Sequence, residues 1–276
     1  MMCYNKYMNT NFENKHQYCN IHFRYAKGKS LRQGNEIHPY HEILYFIEGG
    51  GRFFTQQFDT ELQEHMLFLI PKNTYHQFSV KDEEKYTRLT LTFEDRKEWS
   101  DISVFSSDRV NIIKELDPSI QFLLTKMCTT LKANENTVQS DRLLYGAFLM
   151  LLSEIAETKR EAPPVEHNRD RTLISNCTAY IDANFCSDIS VDDLAILMNT
   201  SSATLFLHFK KHLGISIHKY ILQKRMTYAH ILLSQGSPPT KIYHECGYHD
   251  YATFYKMYCK HFGYSPSKTP LMTNNL

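Results

Sequence analysis

The chain has 276 residues, 42% of them hydrophobic and 22% charged, with a formal net charge of +1. That balance belongs to a folded globular protein with room for two domains; it excludes a disordered chain, and no run of about 18 apolar residues offers a membrane span. The charge is divided unevenly: residues 1–167 carry 20 Lys+Arg against 23 Asp+Glu, whereas residues 168–276 carry 11 against 7, so the basic part is C-terminal.

Residues 1–15 are polar and lack the apolar centre of a signal peptide, which predicts a cytoplasmic protein with no membrane partner. The seven cysteines are an odd number without a Cys-x-x-Cys pair, which fits reduced thiols. From about His38 to Phe93 the pattern is one of strands. Residues 43–47, 52–54, 66–70, 76–80 and 86–93 are short runs rich in aromatic and β-branched side chains, separated by turn residues such as Gly49-Gly50-Gly51 and Pro71-Lys72-Asn73. Leu89, Leu91 and Phe93 alternate with Arg88, Thr90 and Thr92. Such spacing predicts a small barrel or a double-sheet jelly roll, with an interior able to hold one small ligand.

Within this region Glu36, His38, Glu42 and His76 offer two carboxylates and two imidazoles. The set could hold iron, manganese or zinc, or it could pin strands and line a pocket without metal. The second reading is adopted: His38, Glu42, Tyr45 and His76 are taken as ligand-pocket residues, with no metal and no other cofactor. Many of the surrounding rings simply fill the core.

The period then changes from two to 3.6. Ile120, Leu123, Leu124, Met127 and Leu131 form one apolar stripe and Leu144, Ala147, Phe148, Leu151 and Ile155 another, predicting two amphipathic helices around a polar loop near Asn134. One face packs on the barrel; the other can serve a dimer contact or none. Residues 161–171, with Pro163-Pro164 and a charged remainder, read as a linker. The sequence thus predicts an α+β, two-domain chain, with a β-rich domain and its helix pair over 1–160 and an all-α domain over 172–276.

In the C-terminal domain a helix over 172–185 precedes Ser190, which caps a short helix with Asp193 three residues on, a capping-box spacing. Asn199-Thr200 turns the chain into a second helix near Ser201, a first helix-turn-helix. A long helix over 217–234 follows, and a second helix-turn-helix spans 240–262. There Gly247 makes the turn, Asp250 caps the last helix, and Phe254, Met257, Tyr258 and Phe262 form its buried stripe.

Gly247, an aromatic, Asp250, Phe254, Lys256, Tyr258, Gly263 and Ser265-Pro266 together resemble the signature of AraC/XylS-type bacterial transcription regulators, and the likeness extends over residues 172–266. The resemblance implies two recognition helices in successive major grooves of double-stranded DNA, read by one subunit. Carried over by position, the DNA-binding residues are Tyr251, Ala252, Tyr255, Lys256 and Lys260 in the second unit. In the first they are Ala203, Phe206 and Leu207, with Lys210 and Lys211 supplying charge. Lys256 can donate to guanine or a phosphate. Phe206 and Leu207, standing where the family commonly has polar residues, offer apolar contact with thymine methyls, packing alone, or a face for a partner protein. Arg225 is expected to make an ion pair that fixes the linker helix, and Thr269-Pro270 departs from the family's aromatic-arginine ending.

A second resemblance is to cupins: His38, Glu42, Gly49, Pro71 and His76 look like the two cupin motifs, with Glu36 and His65 replacing a usual histidine and glycine. The two resemblances imply a non-enzymatic transcription regulator, an activator that recruits RNA polymerase as a homodimer. Its effector would be a small molecule, such as a sugar, bound in the barrel. The competing readings are a metal-dependent cupin enzyme fused to a DNA-binding module, a ligand-independent regulator, and an interaction adaptor using the Phe206-Leu207 face. His244, Cys246, His249, Cys259 and His261 do not match a tetrahedral zinc spacing and are read as buried thiols and exposed imidazoles.

Overall fold

The computed structural model describes residues 12–28, 35–56, 58–82, 84–96, 99, 105, 109–158 and 169–271. The N-terminal part is built from two antiparallel sheets. The larger runs in the order β1 (Phe12–Tyr18), β2 (Ile21–Lys27), β9 (Thr87–Phe93), β4 (His41–Glu48), β7 (Leu67–Ile70) and β10 (Asn111–Ile113). The smaller runs β3 (Asn35–Glu36), β8 (His76–Val80), β5 (Gly51–Thr55) and β6 (Asp59–Leu62).

The side-chain period of two decides what each face does. On β4, Ile43 and Tyr45 join Leu89, Leu91 and the helical cluster outside the larger sheet, whereas Leu44 and Phe46 face the smaller sheet with Phe53, Phe68 and Phe78. Phe53 sits 4.6 Å from Phe68 and 4.8 Å from Phe78 between ring centroids, so the space between the sheets is largely filled with rings.

The strands begin earlier than expected. The β1–β2 hairpin precedes the region read as strands, and β10 follows it. Cys19 and Asn20 join the hairpin at φ 50° and 59°, the left-handed pair that a two-residue primed turn requires. The signal was present in Ile21-His22-Phe23-Arg24-Tyr25, whose apolar members are all buried.

Helices α1 (Pro118–Ala133) and α2 (Val138–Glu157) cover the outer face of the larger sheet, with Phe148 against Phe93 at 5.0 Å and Phe23 at 6.4 Å. Both predicted apolar stripes are buried. Of the predicted linker, residues 161–168 lie outside the described residues, and residues 169–171 already belong to α3 (Arg169–Asn184).

Helices α4 (Val191–Leu197), α5 (Ser202–Leu213), α6 (Ile217–Ser234), α7 (Pro239–Glu245) and α8 (Tyr251–Phe262) complete the fold, ending in a 3-10 turn at Pro266–Lys268. Side-chain oxygens of Ser190, Ser201, Ser216 and Asp250 accept from the amide three residues on, each cap contributing about 1 kcal/mol. At Ser190 the reciprocal half of the box differs from expectation: its hydroxyl donates to Asp193 Oδ2 at 2.6 Å. No helix among the described residues is long and apolar enough to cross a membrane.

Candidate nucleic-acid interface and effector site

The two helix-turn-helix units close in the same way. Thr200 N–H donates to Ala195 O at 2.9 Å and Tyr248 N–H to Tyr243 O at 3.0 Å, with Asn199 at φ 52° and Gly247 at φ 77° making the left-handed step. At Gly247 no side chain would fit: an added Cβ would lie 2.5 Å from Cys186 O and 2.9 Å from the Arg225 guanidinium.

Arg225 on α6 is the brace between the units, but through carbonyls and not the expected ion pair. Nε donates to Phe185 O at 2.7 Å, Nη2 to Ser187 O at 2.9 Å and Nη1 to Gly247 O at 2.8 Å. The fork thus ties the end of α3 to the turn of the second unit, a geometry for which a guanidinium is suited because its donors are fixed in one plane.

On α5, Leu205, Phe209 and Leu213 are buried, which turns Ala203, Phe206, Leu207, Lys210 and Lys211 outward; Phe206 is 53% and Leu207 63% exposed. Lys210 is partly engaged, since Nζ donates to Gly214 O at 2.9 Å. On α8, Phe254 and Tyr258 are buried and Ala252, Tyr255, Lys256 and Lys260 are exposed. Tyr251 is half-buried, its ring 6.0 Å from Tyr243 and from Phe254. It therefore offers an edge and a hydroxyl more than a free ring. Cys246 is fully buried beneath these helices and its thiol is pushed up to about 12 by burial, as expected of an inert core cysteine.

Between the two sheets three of the proposed pocket residues converge. Glu42 Oε2 lies 2.8 Å from His38 Nε2 and 3.3 Å from His76 Nε2. The opposite nitrogens are anchored to backbone, His38 Nδ1 at 2.9 Å from Tyr40 O and His76 Nδ1 at 3.1 Å from Thr74 O. Carbonyls can only accept, so both Nδ1 carry the hydrogen. Burial alone would raise the Glu42 carboxyl, but the hydrogen bonds and charge of the two imidazoles hold it well below the usual carboxylate range. Two imidazoles with anchored Nδ1–H groups and one carboxylate also make a donor set that a divalent metal accepts.

Tyr45 does not join them. It is three residues from Glu42, so it points to the other face of the sheet, where its hydroxyl meets His65 Nδ1 at 2.7 Å. His65 itself adopts φ 68°, the conformation for which a glycine stands in the cupin motif. Glu36 is the Cα partner of His76 across β3 and β8. The sequence reading missed Arg88, which pairs with Phe46 across β9 and β4, is buried, and stacks its guanidinium 4.4 Å over the Tyr86 ring. The polar face of the alternating β9 run thus turns inward. That inversion was open to view once Leu89 and Leu91 were assigned to the helical side.

Two family models match these two parts of the chain: an AraC-like ligand binding domain over residues 22–152 and a helix-turn-helix domain over residues 194–270. The chain belongs to the AraC family of transcription regulators. It is 26% identical over 261 residues to the Msm operon regulatory protein of Streptococcus mutans serotype c, covering 88% of this chain and 86% of that relative. It is also 26% identical over 150 residues to the lactose operon transcription activator of Staphylococcus xylosus, covering 54% of each. Among solved structures, ToxT from Vibrio cholerae O395 aligns over 95% of this chain and 97% of its own, with 12% identity and a TM-score of 0.41.

As an AraC-family regulator the chain pairs a ligand-binding domain with a DNA-binding domain, and the two are in contact. Tyr75, fully buried at the rim of the AraC-like domain, donates to Leu213 O at the end of α5. Thr227 on α6 donates to Ile37 O at 3.2 Å, Lys224 Nζ to Asn73 O at 3.4 Å, and Arg171 Nη2 reaches Asp59 at 2.7 Å.

One contact is a chain whose proton order can be read throughout. Thr269 hydroxyl donates to Pro266 O at 2.8 Å, so Tyr258 hydroxyl must donate to Thr269 Oγ1 at 2.7 Å. Tyr258 then accepts from His230 Nδ1–H at 3.1 Å, which leaves His230 Nε2 to accept from Tyr40 hydroxyl at 2.8 Å. Thr269, where the family ending differs, is thereby buried and fully engaged. This order needs a neutral His230, and burial, with the nearby His261 charge, pushes its imidazole down to about 4.

The sign follows from linkage. Between about pH 6.5 and 4 the unfolded chain holds a proton on His230 that the folded one does not, so stability is lost as pH falls through that window. Urea unfolding at pH 5 should show about 2 kcal/mol less stability from this group than at pH 7.5. His230→Gln should remove that portion of the pH slope; an unchanged slope would contradict the assigned protonation.

Proposed function

We propose that this protein is a transcription activator whose barrel binds a sugar at His38, Glu42 and His76, and whose tandem helix-turn-helix units carry that signal to DNA and RNA polymerase. The observation that carries this reading is a pair of polar networks that meet at Tyr40, one at its backbone carbonyl and one at its hydroxyl. The first runs from His76 and Glu42 through His38 to the Tyr40 backbone, and the second from the Tyr40 hydroxyl through His230 and Tyr258 to Thr269 beside α8.

The chemistry of the inner face supports a polyhydroxylated effector. Sugars are recognised by charged planar hydrogen-bonding groups beside aromatic faces, and Glu42, His76 and Arg88 lie among Phe53, Phe78 and Tyr86. The Staphylococcus xylosus relative is a lactose operon transcription activator, which points the same way. For the homodimer, α1 and α2 supply a face where Phe122 is 65% and Met150 58% exposed.

A sugar panel followed by both thermal unfolding and operator binding tests the coupling. A cognate sugar should raise Tm and change operator affinity in the wild type. Tyr40→Phe, which deletes the donor to His230, should keep the Tm response and lose most of the affinity change. A variant in which both responses persist would refute the coupling, and a full panel without any Tm response would refute the effector class.

A further inference from the structure

Three side chains that DNA reading does not use meet at the base of the first recognition helix. His208 and His212 stand four residues apart on α5, so they share a face; their rings lie 6.3 Å apart and 10° from parallel. Asp170, in the first turn of α3, places Oδ2 3.2 Å from His208 Nδ1 and 4.0 Å from His212 Nε2. The three atoms all fall within 4.8 Å of one another.

These two nitrogens are buried and make no hydrogen bond, even though the carboxylate oxygen is within reach of one of them. Buried ring nitrogens without a hydrogen bond are costly, and here two of them flank the same carboxylate at ion-pair range only. Burial, followed by the charges of Arg171 and Lys211, pushes His212 below its usual range and favours the neutral imidazole. That is the form with a lone pair to give.

We propose that Asp170, His208 and His212 form a binding site for a divalent transition metal of borderline softness, such as zinc or cobalt, which clips the start of α3 to α5. Two imidazoles at i and i+4 on one helix with a carboxylate from another element are a donor set suited to zinc, cobalt or nickel and poorly suited to magnesium or calcium. Metal–ligand bonds of about 2.0–2.2 Å put ligand atoms roughly 3.0–3.5 Å apart. The His208–Asp170 distance already meets this; the His212–Asp170 distance of 4.0 Å and the separation of the two ring nitrogens, within 4.8 Å, would shorten on binding. Lys211 Nζ, 3.6 Å from the same Asp170 oxygen and 64% exposed, is the cation that the metal displaces. With three protein ligands, the remaining coordination position belongs to water. A metal here would staple the first unit where residues 169 and 170 open the DNA-binding domain.

The barrel cluster of His38, Glu42 and His76 offers metals a rival site, and the test separates the two. Full-length protein, stripped with a chelator, is titrated with Co²⁺ and followed by visible absorption, then challenged with Zn²⁺. The expected result is one equivalent bound, displaced by Zn²⁺, and retained in His76→Gln. Asp170→Asn, His208→Gln and His212→Gln should each weaken binding roughly tenfold or more while keeping the wild-type circular dichroism spectrum. Binding that His76→Gln abolishes and His212→Gln leaves intact would overturn the assignment, as would no saturable binding in the wild type. Neither outcome depends on the effector or on DNA.

Discussion

Arg225→Ala should be the most damaging single substitution in the DNA-binding domain, lowering its stability by about 3 kcal/mol or more. Three charge-assisted hydrogen bonds disappear together, and the carbonyls of Phe185 and Gly247 lose their donor in a partly buried setting. Arg225→Lys should recover only a minor part, because one ammonium cannot span three carbonyls that the planar guanidinium reaches at once. Gly247→Ala should fail at the same joint from the other side, with its Cβ driven into Cys186 O and the guanidinium. Urea unfolding of the full chain, with a far-UV signal dominated by the helical domain, reads all three. A loss below about 0.5 kcal/mol for Arg225→Ala, the range of ordinary surface changes, would show that the brace is dispensable.

Lys256→Ala should weaken binding to the specific operator by about 1 to 3 kcal/mol while leaving stability nearly unchanged, since the side chain is exposed and holds up no part of the core. The asymmetry of the two readers sets this size. The exposed face of α5 presents Ala203, Phe206 and Leu207, which have no hydrogen bonds for base edges, whereas α8 presents Lys256 beside Tyr255. An equal loss on random duplex would reassign Lys256 to a phosphate.

How far the chain could be read without coordinates depended on the kind of signal. The helical domain was legible nearly to its caps, because Ser190, Ser201 and Asp250 are local instructions that no distant contact overrides. The double-sheet domain was legible in kind but not in extent. The β1–β2 hairpin is held by its turn at Cys19-Asn20 and by pairing with β9, and a pairing about 70 residues away leaves no mark beyond a short alternation.

The site residues divide by the same logic. His38, Glu42 and His76 meet as the cupin resemblance implied, since His38 and Glu42 sit on one segment and β8 lies across the interior. Tyr45 was misplaced for want of parity, a rule available from the sequence. Arg225 was rightly valued as a brace but given the wrong partners; backbone carbonyls carry no residue identity, so nothing in the sequence advertises them. The Tyr40–His230–Tyr258 path was invisible for a further reason: it joins residues about 190 apart through a domain contact that no local pattern encodes.

The account rests on one chain reading two blocks of DNA with unequal precision. Selection of full-length protein on a pool of random duplexes, followed by sequencing of what it retains, measures that directly. The expected outcome is two conserved blocks about one helical turn apart. The block under α8 should hold a guanine preference that Lys256→Ala erases, and the block under α5 should be A·T-rich and weakly constrained. A single conserved block, or a guanine requirement as strong under α5 as under α8, would contradict it.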